Sequence, residues 1–303
     1  MIRPARLLWP LVAATAFVAA PAAAQFGVLN DLVNKAQSAQ KIGEGLRKIN
    51  EAEEIKIGGD LAGMLLGAAP LVDDPAKQAY VNRLGRWLAL HSGRPALPWK
   101  FCIVDSDDFN AFSTPGGYVL ITRGLFERMR SEAELAGVLA HEIAHVERKH
   151  HLEALQRSLR DQSLSEMRRY FTVSTGNSIA DQFSTALLNA GKDLYIKGLD
   201  PSAEYEADRL GVVIAARSGY SAYGLGGVLQ TLTATIDERA YGMHSRTHPL
   251  PLERLARLDA AMATRFEAMP GLIEDSPDFL ALRRPPPAPT PPPPKPAKKK
   301  RAK

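Results

Sequence analysis

The chain has 303 residues, 45% hydrophobic and 23% charged, the profile of one globular domain large enough to bury a sizeable core. Its formal charge of +5 misleads as an average, because eight lysines and arginines crowd residues 283–303, and Arg3 and Arg6 stand at the start. The body between is net acidic, which argues against a nucleic-acid-binding fold with a basic patch on the domain, and the single cysteine, Cys102, excludes an internal disulfide.

The opening MIRPARLLWPLVAATAFVAAPAAAQ reads as a secretory signal peptide over 1–24. Arg3 and Arg6 precede an apolar run from Leu7 to Ala20, and Ala22-Ala23-Ala24 before Gln25 fits a cleavage site after Ala24. The alternative, an uncleaved anchor, needs about 20 apolar residues, and this run is shorter and broken by prolines. No later stretch approaches a membrane span, so the mature chain is expected to be exported and soluble. Residues 25–53 are an N-terminal helical segment, its amphipathic pattern reaching residue 56, with Leu29, Leu32, Val33, Ala36, Ile42, Leu46 and Ile49 at helix-like spacing. A second helix is expected from Ala76 to Leu90. Trp99 to Val104 and Tyr118 to Thr122 are short β-rich runs, with Cys102 a small strand residue. Between them, Ser113-Thr-Pro-Gly-Gly117 is turn chemistry.

A helix then starts at Ser131, where Ser-Glu-Ala-Glu134 is a capping box. Neither proline nor glycine interrupts the chain from Val138 until Gly176, so this helix is expected to run past His151. Residues 172–192 are small and polar without a firm period, and a mobile segment is expected there. Helical pattern returns at Ser202 to Arg217 and at Tyr223 to Ile236. Thr247-His-Pro-Leu-Pro251 breaks the chain, and Pro251 opens a last helix to Met269. From Arg284 onward proline and lysine favour an extended, solvated chain. Long helices and a few short strands predict an α+β fold, mainly helical, with a small sheet beside the HEIAH helix.

Residues 138–151, VLAHEIAHVERKHH, hold four of the seven histidines. His141-Glu-Ile-Ala-His145 is an H-E-x-x-H sequence, which on a helix sets two imidazoles one turn apart on one face. Glu142, about 100° round, points into the same cleft and can take a proton from water and pass it to a leaving amine. Catalytic zinc takes three protein ligands and leaves a position open. His151 stands where the metzincin pattern has its third histidine, but Arg148 occupies the position that must be glycine. A continuing helix carries His151 about 15 Å along its axis from His141, out of reach, and His150 is similarly remote. Downstream, Ala203-Glu-Tyr-Glu-Ala-Asp-Arg-Leu-Gly211 offers Glu204 as third ligand, with Asp208 one turn on to hold the free N–H of a ligand histidine. Glu206 points to another face and reads as a surface charge.

HEIAH followed by EYEAD resembles the zinc metallopeptidase family of HtpX and the CaaX prenyl proteases, a gluzincin family, over roughly residues 54 to 268. The resemblance implies a zinc metallopeptidase domain over 54–282 with one Zn2+ on His141, His145 and Glu204, Glu142 as general base and Asp208 supporting a ligand. Asn110-Ala-Phe-Ser-Thr-Pro-Gly-Gly-Tyr118 looks like the family's strand-and-turn segment, which implies an edge strand at Gly117, Tyr118, Val119 and Leu120 that receives an extended substrate. The chain is closer to the family's soluble periplasmic branch, which resembles proteases that assist or police outer-membrane protein assembly. That implies a periplasmic endopeptidase acting on unfolded or misassembled exported proteins, or a largely latent protease serving as chaperone or assembly factor. His248 before Pro249 is by sequence a turn residue; the branch implies a fourth zinc ligand or a transition-state contact. Arg254 likewise is a surface charge by sequence and an oxyanion-stabilising residue by resemblance. The branch's best-studied type adds C-terminal helical repeats, whereas residues 283–303 here are a basic Pro/Lys-rich segment, expected to be either a tether to an anionic envelope surface or a solvated end.

Overall fold

The computed structural model describes residues 49–170, 191, 197–234, 248–269 and 271–283. Residues 1–24 expected to be a signal peptide, most of the 25–53 segment, nearly all of 172–192 and the tail beyond Arg283 lie outside the described residues. Helix α1 (Glu51–Ala68) begins at a complete capping box, in which Asn50 accepts from the Glu53 backbone and the Glu53 carboxylate accepts from the Asn50 backbone. A domain boundary at residues 53 and 54 would therefore cut the first turn of α1. Helix α2 (Pro75–Ala89) follows the reading closely, with Asp74 as N-cap.

Three strands form one sheet: β1 (Lys100–Val104), β2 (Ala111–Thr114) and β3 (Tyr118–Thr122), in the order β1-β3-β2. β1 runs parallel to β3 and β2 antiparallel to it. Alternation along β3 serves two faces. Val119 and Ile121 join the main core with Phe101, Ile103 and residues of α2, while Leu120 packs with Ala62 and Val104 beneath α1. Cys102 is half-buried in β1, and burial pushes its thiol up to about 11. β2 is a correction to the sequence reading, which took Ser113 and Thr114 as turn. Pairing with β3 makes them strand, and the turn shrinks to Pro115-Gly116-Gly117, where both glycines hold positive φ.

Beyond the sheet come α3 (Arg123–Arg128), α4 (Glu132–Glu147), α5 (His150–Tyr170), α6 (Pro201–Arg217), α7 (Gly224–Ala234), α8 (Pro251–Met262) and α9 (Pro277–Arg283). Helix α4 carries the HEIAH motif through the centre of the molecule and packs most extensively against α6 and α7. Its N-cap is Ser131, as expected. The capping box is only half made, since Glu134 turns to the Arg130 backbone and guanidinium instead of back to Ser131. Helix α8, expected to be the last and to reach Met269, stops at Met262, where Ala263 takes φ +43, and α9 follows it.

Helix α4 also does not run on past His151. It ends at Glu147, Arg148 caps it, Lys149 takes φ +58, and α5 starts at His150. A left-handed lysine costs about 1–2 kcal/mol, and contacts from other elements hold it. Lys149 Nζ lies 3.0 Å from Glu54 in α1, and Arg148 Nε lies 2.6 Å from Glu206 in α6. Arg94 donates to the Val146 carbonyl at 3.2 Å, satisfying a C-terminal carbonyl of α4. Among the described residues no helix is long and apolar enough to cross a membrane.

Candidate active site

Buried apolar residues on both sides of the motif, among them Leu139, Ile143 and Ala144, seat α4 in the core and hold His141 and His145 on one face. Helix α6 is launched by Asp200 as N-cap with Pro201 in the first turn, and it crosses α4 at Gly211. A Cβ there would stand 2.9 Å from the His141 backbone nitrogen, so only glycine lets the two backbones come this close. The crossing delivers Glu204 to the two histidines.

The Nε2 atoms of His141 and His145 are 3.0 Å apart. Glu204 Oε2 lies 3.6 Å from His141 Nε2, and Oε1 lies 3.5 Å from His145 Nε2. His248 Nε2 is 3.6 Å from Glu204 Oε2, and the donor atoms of His141, Glu204 and His248 all fall within 4.8 Å of one another. Glu204 is fully buried, and its Oε2 accepts no hydrogen bond. A buried carboxylate oxygen left without a donor is costly unless a cation takes its place. Donors about 2.0–2.1 Å from a tetrahedral zinc stand about 3.3 Å from one another, close to the spacings found. The residues fit the metal.

Glu142, next to His141, is buried. Burial raises its carboxyl above the ordinary carboxylate value, against the His141 charge and the Ser113 hydroxyl, which work the other way. A raised carboxyl beside such a centre is suited to accepting a proton and giving it up again. Residues 75–262 match the family model described as peptidase family M48. This chain belongs to peptidase family M48. It is similar to the beta-barrel assembly-enhancing protease of Escherichia coli K12, 30% identical over 233 residues, covering 75% of this chain and 47% of that protein. The protein of the same name from Yersinia pestis is 31% identical over 210 residues, covering 67% and 43%. The mitochondrial metalloendopeptidase OMA1 of Schizosaccharomyces pombe is 24% identical over 181 residues, covering 59% and 51%. The chain spans about half the length of these relatives.

Around these candidate ligands the structure redistributes several expected roles. Asp208 Oδ1 lies 3.0 Å from His141 Nδ1, the contact anticipated for it. Burial would raise Asp208, but the Arg254 guanidinium overrides this and holds the carboxyl far below its ordinary value. His141 loses by burial and gains more from Asp208 and Glu204, which push it up to about 9. Arg254 is no surface charge: it is buried, with Nε 3.0 Å from Asp208 Oδ2 and Nη2 2.6 Å from Oδ1. Two of its three nitrogens clamp Asp208, and the third stands 3.8 Å from Glu204 Oε2. An oxyanion role needs a nitrogen free to face substrate, and this fork faces the ligands.

His150 and His151 return to the site because α4 breaks. Their ring centroids stand 5.1 and 5.2 Å from that of His145. His150 Nδ1 is 3.1 Å from His145 Nδ1, and Glu206 pairs with both His150 and Arg148, which replaces its reading as a plain surface charge. No local signal in Arg148-Lys149 marks the break, so sequence spacing could not have found this contact.

The expected edge strand is also relocated. β3 is the central strand, so Gly117, Tyr118, Val119 and Leu120 lie on or beside a strand paired on both sides and do not form an edge. The edge nearest α4 is β2. Its approach residue Asn110 is buried with Nδ2 unpaired, and it lines a small apolar cavity of about 30 Å³ with Val138, Glu142, Leu225, His248 and Arg254.

Proposed function

We propose that this M48 chain is an exported zinc metalloendopeptidase that hydrolyses peptide bonds of unfolded or misassembled envelope proteins in the periplasm. The observation that carries the activity is the buried Glu204 Oε2, which accepts no hydrogen bond, at metal-ligand spacing from His141 and His248, with the Glu142 carboxyl buried in the same site. When bound, zinc supplies Lewis-acid polarisation of the scissile carbonyl and makes water more acidic. Glu142 takes the proton of the attacking water and delivers it to the amide nitrogen as the C–N bond breaks. Asp208, clamped by Arg254, keeps His141 Nδ1 protonated so that Nε2 faces the metal. An extended substrate adds to the edge of β2, with Asn110 Nδ2 donating to its backbone. The signal-like opening supports export, and the name of the Escherichia coli relative supports substrates and partners in outer-membrane protein assembly.

Glu142→Gln is expected to lower cleavage of casein by at least about a hundredfold while zinc stays bound. Unchanged cleavage would sink the assignment. A second reading, a latent protease acting mainly as an assembly factor, is favoured by His248, whose imidazole stands where a fourth ligand would. It predicts that His248→Ala cleaves casein faster than the parent chain. A flat response would remove the latch.

A further inference from the structure

The two histidine ligands are anchored differently on their far sides. His141 Nδ1 meets a carboxylate, Asp208, whereas His145 Nδ1 meets another imidazole, His150, at 3.1 Å. Beyond that, His150 Nε2 lies 3.4 Å from Glu206 Oε2, and Glu206 Oε1 lies 2.6 Å from Arg148 Nε. Two facing Nδ1 atoms share one proton between them. With His145 Nε2 turned to the metal position, its Nδ1 carries that proton and donates it. His150 Nδ1 must then accept, which places the His150 proton on Nε2, pointing at Glu206. The hydrogens thus run one way, from ligand to imidazole to carboxylate.

We propose that His150 is a positioning residue for metal binding, fixing the tautomer and ring angle of His145, with Glu206 fixing those of His150. The break at Lys149 is what makes this possible, since it turns the chain so that the first residue of α5 faces the last ligand of α4. The pair His150 and Glu206 also joins α5 to α6, the helix that carries Glu204, so one relay holds ligands from two helices in register. This rests on the zinc reading above, and its test separates the two.

Zinc affinity is measured by competition with a chromophoric chelator on the full chain, beside the melting temperature of the metal-free protein. His150→Ala is expected to weaken zinc binding by about 10- to 100-fold, the usual effect of losing such a partner, with the metal-free melting temperature little changed. His150→Gln, which offers an amide oxygen to His145 Nδ1, is expected to recover most of the affinity. Glu206→Gln, at a half-exposed position that endangers no core packing, is expected to weaken binding several-fold. Parent-like zinc affinity in His150→Ala or Glu206→Gln would overturn the proposal and leave the zinc site standing. So would a loss in His150→Ala matched by an equal loss in His150→Gln. A parent chain that binds no zinc would overturn both readings.

Discussion

At the scale of single residues, the site depends on which buried charges have partners. Asp208 is a carboxylate in the interior, kept ionised by the Arg254 fork and the His141 imidazole. Removing one member of such a pair strands the other, at a cost of about 3–5 kcal/mol. Arg254→Ala is therefore expected to lower the melting temperature of the metal-free protein and to weaken zinc binding together. Calorimetry and chelator competition check this. A residue serving only the oxyanion would leave both unchanged and reduce kcat alone, and that outcome would restore the reading made from resemblance. His141, Glu142, His145, Glu204 and Asp208 were legible in the sequence because their spacings are short-range facts about two helices. The true surroundings of Arg254 were not, because its partner Asp208 lies on another helix 46 positions away.

At the scale of elements, the decisive feature is the α4–α6 crossing. Gly211 sits against the His141 backbone, and a Cβ would meet main-chain atoms at 2.9 and 3.0 Å. Gly211→Ala is expected to destabilise the fold by about 1–3 kcal/mol through overpacking and to shift Glu204 relative to the histidines. Unfolding curves and zinc titration on the same preparation test it; full stability with full zinc affinity would contradict the close-packed crossing. The helices α2, α4 and α6 were readable from period, and α4 also from its N-cap Ser131. β2 and the end of α4 were not. β2 spans four residues and becomes a strand through its ladder with β3, and the α4 break is held by Glu54, Arg94 and Glu206, none of them local.

At the scale of the whole molecule, Glu54 ties α1 to the end of the HEIAH helix. It is completely buried, accepts from Arg94 at 2.5 and 3.0 Å, and meets Lys149 at the α4–α5 junction. Burial alone would raise its pKa, but hydrogen bonds from Arg94 and Lys149 bring it below the ordinary 4.5. A depressed folded-state pKa contributes stability above the unfolded value, and that contribution fades as pH falls through the folded one. Urea unfolding between pH 3 and 7 should therefore show a steeper loss below about pH 4.5 in the parent chain than in Glu54→Gln. Parallel acid limbs would show that this buried triad does not couple folding to protons. What the sequence by itself determined is the set of candidate metal-binding and catalytic residue types and their helical spacing, because i and i+4 positions share a helix face whatever surrounds them. What only the tertiary structure decided is which distant groups meet them: Arg254 on Asp208, β2 as the edge beside α4, and His150 brought back against His145. Those depend on contacts between elements far apart in the chain, and no local pattern in VLAHEIAHVERKHH could record them.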